Sequence, residues 1–390
     1  MRRWMAAPLV LAVAIGLTAV ETPRATAQPK DGPVAEKFKT ADGVELHSLF
    51  HPADPLVAKN AAQTPVIVLM YAPGPDRDMT KGEWGGLAKE LTKAGYHVFQ
   101  FDWRGHGKSN TITNTKTFWG NNYLNGNNAN FNAYIKGGPP KMPLKAELAV
   151  KADLGPNNYA KYMPAYLNDL AAVRYHLDTK NDNNELNASS IYLIGAGDAA
   201  ALGTGWIASE WQRQRTYPNV IQLGVPRYEF VPQQLNGGLV AGSEAGNDFG
   251  GAVWLTATRP VSFTEFAMKG WITKPNLAPM MRENNPMLFL YADKDTKGKG
   301  ETNFFYNEML IAEPKVKGTL VKLKQTFAQP VEKAGTLQGV KLLGEKFGTE
   351  KLILEYVAAR QKEREKIAPK KRAYNDPYYI DVRAFGLIAR

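Results

Sequence analysis

Asp198 directly follows the turn Gly195-Ala196-Gly197, and Asp293 and Asp295 sit together in Tyr291-Ala292-Asp293-Lys294-Asp295. Carboxylates at the ends of buried strands can serve as nucleophiles, as general bases, or as groups that orient a base. Each of those roles needs a proton shuttle, normally an imidazole. The chain has five histidines, His47, His51, His97, His106 and His176, and none follows residue 176. It has no cysteine, which removes disulfides, thiolate metal sites and thiol nucleophiles together. Asp198, Asp295 and His106 are therefore the candidate catalytic residues. Asp198 also has an ordinary explanation, as a cap accepting backbone N–H groups at the start of the following helix.

The elements that must position these residues follow from periodicity. Apolar or alternating runs at 44–50, 65–71, 96–102, 190–194, 252–257 and 287–291 predict strands. Helical spacing predicts helices over 84–94, 165–177, 198–211 and 349–366, the first carried by Trp84, Leu87, Ala88 and Leu91 and stopped by Gly95. Strands alternating with helices predict an α/β fold, a mostly parallel central sheet with helices on both faces. The 390 residues are 44% hydrophobic and 22% charged, enough to bury a large core. Nine asparagines between Asn110 and Asn132 predict a long polar loop, and 109–163 is read as an insertion-containing segment.

At the N-terminus, Arg2 and Arg3 precede an apolar run at 5–20, and Ala25-Thr26-Ala27 supplies small residues. That pattern reads as a signal peptide over 1–27, with export to the periplasm or the medium. No later stretch is long and apolar enough to span a bilayer. The basic-aromatic tail, 367–390, carries Phe385, Leu387 and Ile388, which favour burial against the domain. A net charge of +11 favours anionic partners in general, and no nucleic-acid motif accompanies it.

Residues 65–110 resemble the α/β-hydrolase superfamily. The run Pro65-Val66-Ile67-Val68-Leu69-Met70-Tyr71, the turn after it, a helix with Trp84, and Asp102-Trp103-Arg104-Gly105-His106-Gly107-Lys108-Ser109 follow that family's order. The resemblance extends over about residues 40–360 and gives a domain at 28–366. It implies a strand-to-helix turn, G-x-S-x-G, carrying a nucleophile, with a carboxylate and a histidine after later strands. Aligned through Tyr192-Leu193-Ile194-Gly195, this chain places Gly197 at the nucleophile position, Asp295 at the carboxylate position, and no histidine between 325 and 347. The resemblance is thus to a catalytically degenerate exported member.

Two further readings share these residues. Gly195-x-Gly197-x-x-Ala200 matches the spacing of a dinucleotide fingerprint, but no acid closes 219–224 as that chemistry requires. A bare elbow also leaves backbone N–H groups at a helix start, so Ala72, Gly74, Gly195, Gly197, Asp198 and Ala199 are expected to line a ligand site. Residues 259–285, with Phe263, Phe266 and Trp271, take the lid position of the family. The expected function is binding of a small-molecule or anionic envelope ligand without Ser-His-Asp hydrolysis, with no metal or cofactor. The alternative is a hydrolase with a non-standard site around Asp198 and Asp295.

Overall fold

A computed structural model describes residues 32–113 (except 42, 59, 75 and 76), 166–211, 244–259, 268–273, 277–311 and 322–372, with the pairs 229–230, 234–235, 238–239 and 379–380. The proposed signal segment 1–27, most of the Asn-rich segment (114–165), Phe263 and Phe266, and 381–390 lie outside the described residues.

Eight strands form the path of the main sheet: β1 (Val34–Lys39), β2 (Val44–His51), β3 (Pro65–Met70), β4 (His97–Phe101), β5 (Asn187–Ala196), β6 (Phe249–Leu255), β7 (Met287–Ala292) and β8 (Phe327–Val331). Their order is β1-β2-β4-β3-β5-β6-β7-β8, and the two-residue strand Thr111–Ile112 pairs with β2 as the ninth. The pairs from β4 through β3, β5, β6 and β7 to β8 are all parallel. β2 runs antiparallel to both β1 and β4. Strands buried on both faces have no polar side, and β3, β5 and β6 are accordingly buried at every position.

Helices cover both faces. α1 (Trp84–Lys93) and α7 (Thr349–Arg364) pack together on one side. On the other, α2 (Tyr166–Asp182), α3 (Ala199–Trp211) and α5 (Leu277–Asn284) pack together, with α4 (Met268–Thr273) against α3 and α5. α3 is buried on every side, as its mostly small and apolar residues require, and its one charged side chain, Glu210, accepts the Trp206 indole N–H at 3.2 Å. α6 (Thr296–Asn303) starts at Asp295 after β7 and continues as a π-helical turn, Phe304–Met309. This strand order, with a strand–turn–helix passing from β5 to α3, is the α/β-hydrolase fold.

The most fold-specific motif in the sequence holds loops together. Asp102 accepts N–H bonds from Met79 (2.8 Å) and Lys108 (3.1 Å), and a Cβ on Gly107 would lie 2.1 Å from its Oδ2. The Trp103 indole donates to Tyr71 O at 2.9 Å. Arg104 is fully buried against Asp169 of α2, through Nε at 2.7 Å and its own backbone N–H at 2.9 Å. Ser109 Oγ accepts the His47 N–H at 2.9 Å. Asp102, Trp103, Arg104 and Ser109 of the turn are thus bonded within the fold.

The chain beyond α7 is tied to the opposite end of the sheet. Lys370 donates its N–H to Ser189 Oγ at 2.8 Å, while Asn181 and Asn187 donate to the Lys370 and Ile367 carbonyls. Arg372 and Arg174 share the Asp248 carboxylate. Tyr379–Ile380 pairs in parallel with Glu229–Phe230. The described part of the tail, from 367 to 372 and at 379–380, is therefore packed within the chain.

His97, at the start of β4, makes the core sensitive to pH. Its Nδ1 accepts the Ala53 N–H at 3.0 Å, and burial pushes the imidazole down to about 4. Protonation would place a charge in the core and break that bond. The folded value lies below the unfolded one, so this stability is complete above about pH 6.5 and is lost as pH falls toward 4. The expected loss is about 3 kcal/mol across that window. Urea unfolding at both ends of it should show a drop smaller by about that amount in His97→Gln than in the wild type.

Candidate functional site

The order β4-β3-β5 reverses direction between β3 and β5, so the chains leaving those two strands diverge and open a crevice at their carboxyl ends. Ala72 follows β3 there, and Gly197 follows β5. A Cβ built on Gly197 would lie 3.2 Å from the Ala72 Cβ and 3.6 Å from Thr258 Oγ1. Gly197 has φ +56°, the left-handed geometry of a sharp strand-to-helix turn, and its N–H is held by Leu255 O at 3.1 Å. The elbow is intact and carries no side chain.

Small residues around the elbow make room for Trp254 of β6. A Cβ on Gly195 would approach the Trp254 ring to 2.9 Å, and one on Gly203 to 2.3 Å. Packing therefore accounts for Gly195, the first glycine of the fingerprint-like spacing. β6, the strand paired with β5 on that side, ends at Leu255 and is followed by Thr256, with no acid at its tip.

Asp198 is half-buried beside the elbow. Its Oδ1 accepts the Thr258 hydroxyl at 2.5 Å, and among the described residues no backbone N–H reaches the carboxylate. The expected N-cap contact is thus replaced by a hydroxyl from the chain after β6. Burial raises the Asp198 carboxyl above its ordinary value, opposed by the Thr258 bond and by the charges of Arg77 and Lys297.

Asp295 sits at the tip of β7 and caps α6, its Oδ1 accepting the Gly298 N–H at 2.9 Å. Its Oδ2 accepts from Gln338 Nε2 at 3.0 Å. Gln338 follows β8, where the triad order would put the histidine. The neighbouring Gly339 packs toward Ala196 and donates its N–H to Thr256 Oγ1 at 3.1 Å. The acid's partner is therefore a primary amide, which neither accepts nor releases a proton near neutral pH. No sequence signal marks Gln338; only the loop's path across the ends of β5 and β6 places it.

Thr256 supports this junction at a cost. It is a buried β-branched residue at φ +50°, held by its N–H to Leu290 O at 2.7 Å and by the Gly339 contact. Such strain costs roughly 1–3 kcal/mol and clusters where the surroundings over-determine a site.

His106 lies behind the turn after β3. Its Nε2 accepts the Gly74 N–H at 3.0 Å and its Nδ1 faces Arg104 O at 3.1 Å, so a single neutral tautomer fills both contacts. Burial lowers its pKa. Neither ring nitrogen remains for proton transfer. The Gly74 N–H is committed as well, and Pro73 has none, so the Ala72 turn offers a developing oxyanion little on that side. Of the six proposed ligand-lining residues, Ala72, Gly197, Asp198 and Ala199 meet at the elbow; Gly195 faces Trp254, and Gly74 supports His106. Among the described residues no group of three or more metal-type side chains is present.

No protein-family model matches the chain. No curated protein matches it either. Solved structures similar in chain path include an esterase of Pyrococcus furiosus, at 12% identity, TM-score 0.42, covering 84% of this chain and 90% of that one. Thermogutta terrifontis esterase 2, phosphorylated by paraoxon, is 13% identical at TM-score 0.43, covering 87% and 97%. Est1E from Butyrivibrio proteoclasticus is 10% identical at TM-score 0.41, covering 86% and 99%. Likeness at this level carries nothing about activity. What the chain itself displays is an α/β-hydrolase fold with glycine at the elbow and an amide beside the acid.

Proposed function

We propose that this protein uses the elbow crevice to bind a ligand and does not carry out Ser-His-Asp hydrolysis. One observation carries the reading: the acid Asp295 is bonded to Gln338 Nε2 rather than to an imidazole, across the crevice from a glycine elbow. Without an attacking oxygen at Gly197 or a titratable partner for Asp295, acyl transfer lacks both groups that move electrons and protons. The N-terminal pattern at 1–27 supports action outside the cytoplasm, in the periplasm or the medium. No described helix is long and apolar enough to cross a membrane.

A second reading rests on the Thr258–Asp198 pair. A hydroxyl 2.5 Å from a carboxylate whose pKa is raised by burial, beside the bare elbow, is an oxygen dyad suited to ester chemistry. Turnover of short-chain p-nitrophenyl esters by the wild type, Asp198→Ala and Thr258→Val separates the two. The binding reading expects all three at the rate of buffer. Wild-type turnover that falls by about 10²-fold or more in either variant, with its melting temperature retained, would establish the dyad instead.

A further inference from the structure

We propose that the end of the sheet opposite the elbow crevice docks on an anionic phospholipid surface, with Leu56 and Val57 entering the headgroup layer and the lysines after α7 facing its charge. The crevice, at the carboxyl ends of the strands, then faces away from the bilayer, and the contact does not depend on what the crevice holds.

Leu56 (85% exposed), Val57 (54%) and Val34 (42%) are three of the four exposed large hydrophobic side chains among the described residues. All three lie at the end where the parallel strands begin. Ala53 donates its N–H to His97 Nδ1 at the start of β4, and Val34 pairs with Phe50 where β2 ends beside that start. The Leu56 loop is fastened rather than slack. Asp54 Oδ1 accepts the Leu56 N–H at 2.8 Å, Asp54 O accepts from Val57 at 3.0 Å, and the Asp54 N–H is held by Thr92 O at the end of α1 at 3.0 Å. A turn tied at both ends thus keeps a leucine in water, which costs free energy unless something apolar meets it.

The chain after α7 lays cations over the start of β5 at the same end. Ser189 Oγ accepts the Lys370 N–H at 2.8 Å, and Asn181 and Asn187 hold the Lys370 and Ile367 carbonyls. Lys366, Lys370 and Lys371 are therefore exposed side chains on a fixed backbone, with Lys362 exposed on the last turn of α7. Among the described residues Lys362, Lys366 and Lys371 have no carboxylate partner. Arg364 is buried and bonds only to oxygens of Ser189, Ser190 and Asn247, so no bonded carboxylate cancels its charge. The acids here are mostly taken: Glu363 by Lys324 and Arg360, Asp248 by Arg174 and Arg372, Glu185 by Lys180, and Glu90 by Lys93. Asp182 and Glu365 remain, fewer than the cations without a carboxylate.

Four strand spacings separate β5 from β1, about 19 Å at about 4.8 Å each, so lysines and apolar tip share one footprint. A dissolved polyanion would engage the lysines and leave Leu56 in water. An apolar partner would cover Leu56 and leave the lysines unused. The boundary of an anionic bilayer offers both a negative surface and an apolar layer beneath it.

The chain has no cysteine, so Leu56→Cys carries a single environment-sensitive fluorophore. With phosphatidylcholine vesicles containing about 30% phosphatidylglycerol, that label on the full chain is expected to shift to the blue and to gain protection from iodide. The same label at Lys297→Cys, exposed on α6 at the crevice end, should do neither. Adding Lys366→Glu and Lys371→Glu to the Leu56-labelled chain should raise the lipid concentration at half-shift about 20-fold or more, at about fivefold per lysine lost. Raising salt from about 50 to about 500 mM should weaken the shift as well. A Leu56 label unmoved by the vesicles overturns the proposal. So does protection of the Lys297 label instead, an equal shift on pure phosphatidylcholine, or a shift indifferent to the two lysine substitutions. Tight binding of soluble polyphosphate with the Leu56 label unmoved by vesicles would assign the lysines to a dissolved polyanion instead.

Discussion

Gly197→Ser combined with Gln338→His is expected to make the chain reactive toward fluorophosphonates and to raise short-chain ester hydrolysis by at least about 10²-fold over the wild type. The elbow backbone already holds the left-handed conformation at φ +56° that a nucleophile at this turn adopts. The nearest atoms to a new Cβ are 3.2 and 3.6 Å away, so a small side chain fits with a shift of a few tenths of an ångström at Ala72. Asp295 Oδ2 already accepts from position 338 at 3.0 Å and would orient an imidazole there. Hydrolysis should stay far below the roughly 10⁶-fold of a complete triad, because Pro73 and the occupied Gly74 N–H weaken the oxyanion side. Neither single variant should gain more than a small part of the effect, since the groups act as a unit. A double variant that folds with the wild-type melting temperature and stays inert would show that residue 338 does not face the elbow.

Asp169→Ala is expected to destabilise the fold by about 3–5 kcal/mol, a large part of the roughly 5–15 kcal/mol typical of a whole domain. Arg104 and Asp169 are both fully buried. Asp169 also takes the Arg104 backbone N–H, so its loss removes a carboxylate bonded at once to a buried guanidinium and to a buried peptide donor. Equilibrium urea unfolding measures the change directly. A loss below about 1 kcal/mol would mean that water or a neighbouring group replaces the carboxylate.

The parts of the molecule legible in the sequence are those with a strong pattern. The runs beginning at Pro65 and Met287, and the helix carried by Trp84, Leu87 and Leu91, fall where periodicity puts them. Two edge strands escape such reading. β1 (VAEKFK) mixes three charged residues with three apolar ones, and β8 (FAQPV) contains Pro330, which cannot donate to a ladder and sits safely only at an edge.

The site divides the same way. Glycine at the elbow and the missing histidine were visible because they are departures from a motif. Thr258 and Gln338 were not, because a threonine after a strand and a glutamine in an irregular loop carry no periodic or compositional mark. They acquire meaning only once the sheet brings the ends of β5, β6, β7 and β8 together. Asp198 shows the same limit: local sequence suggests a cap, while its observed partner lies 60 residues away.

Intact-mass spectrometry of the full wild-type chain after prolonged treatment with excess fluorophosphonate is the most direct measurement. If catalysis by an oxygen nucleophile has been lost from this crevice, the protein mass remains unchanged while the Gly197→Ser, Gln338→His variant gains one adduct. A single stoichiometric adduct on the wild type, mapped to Thr258, would contradict the binding account and place a working nucleophile beside Asp198.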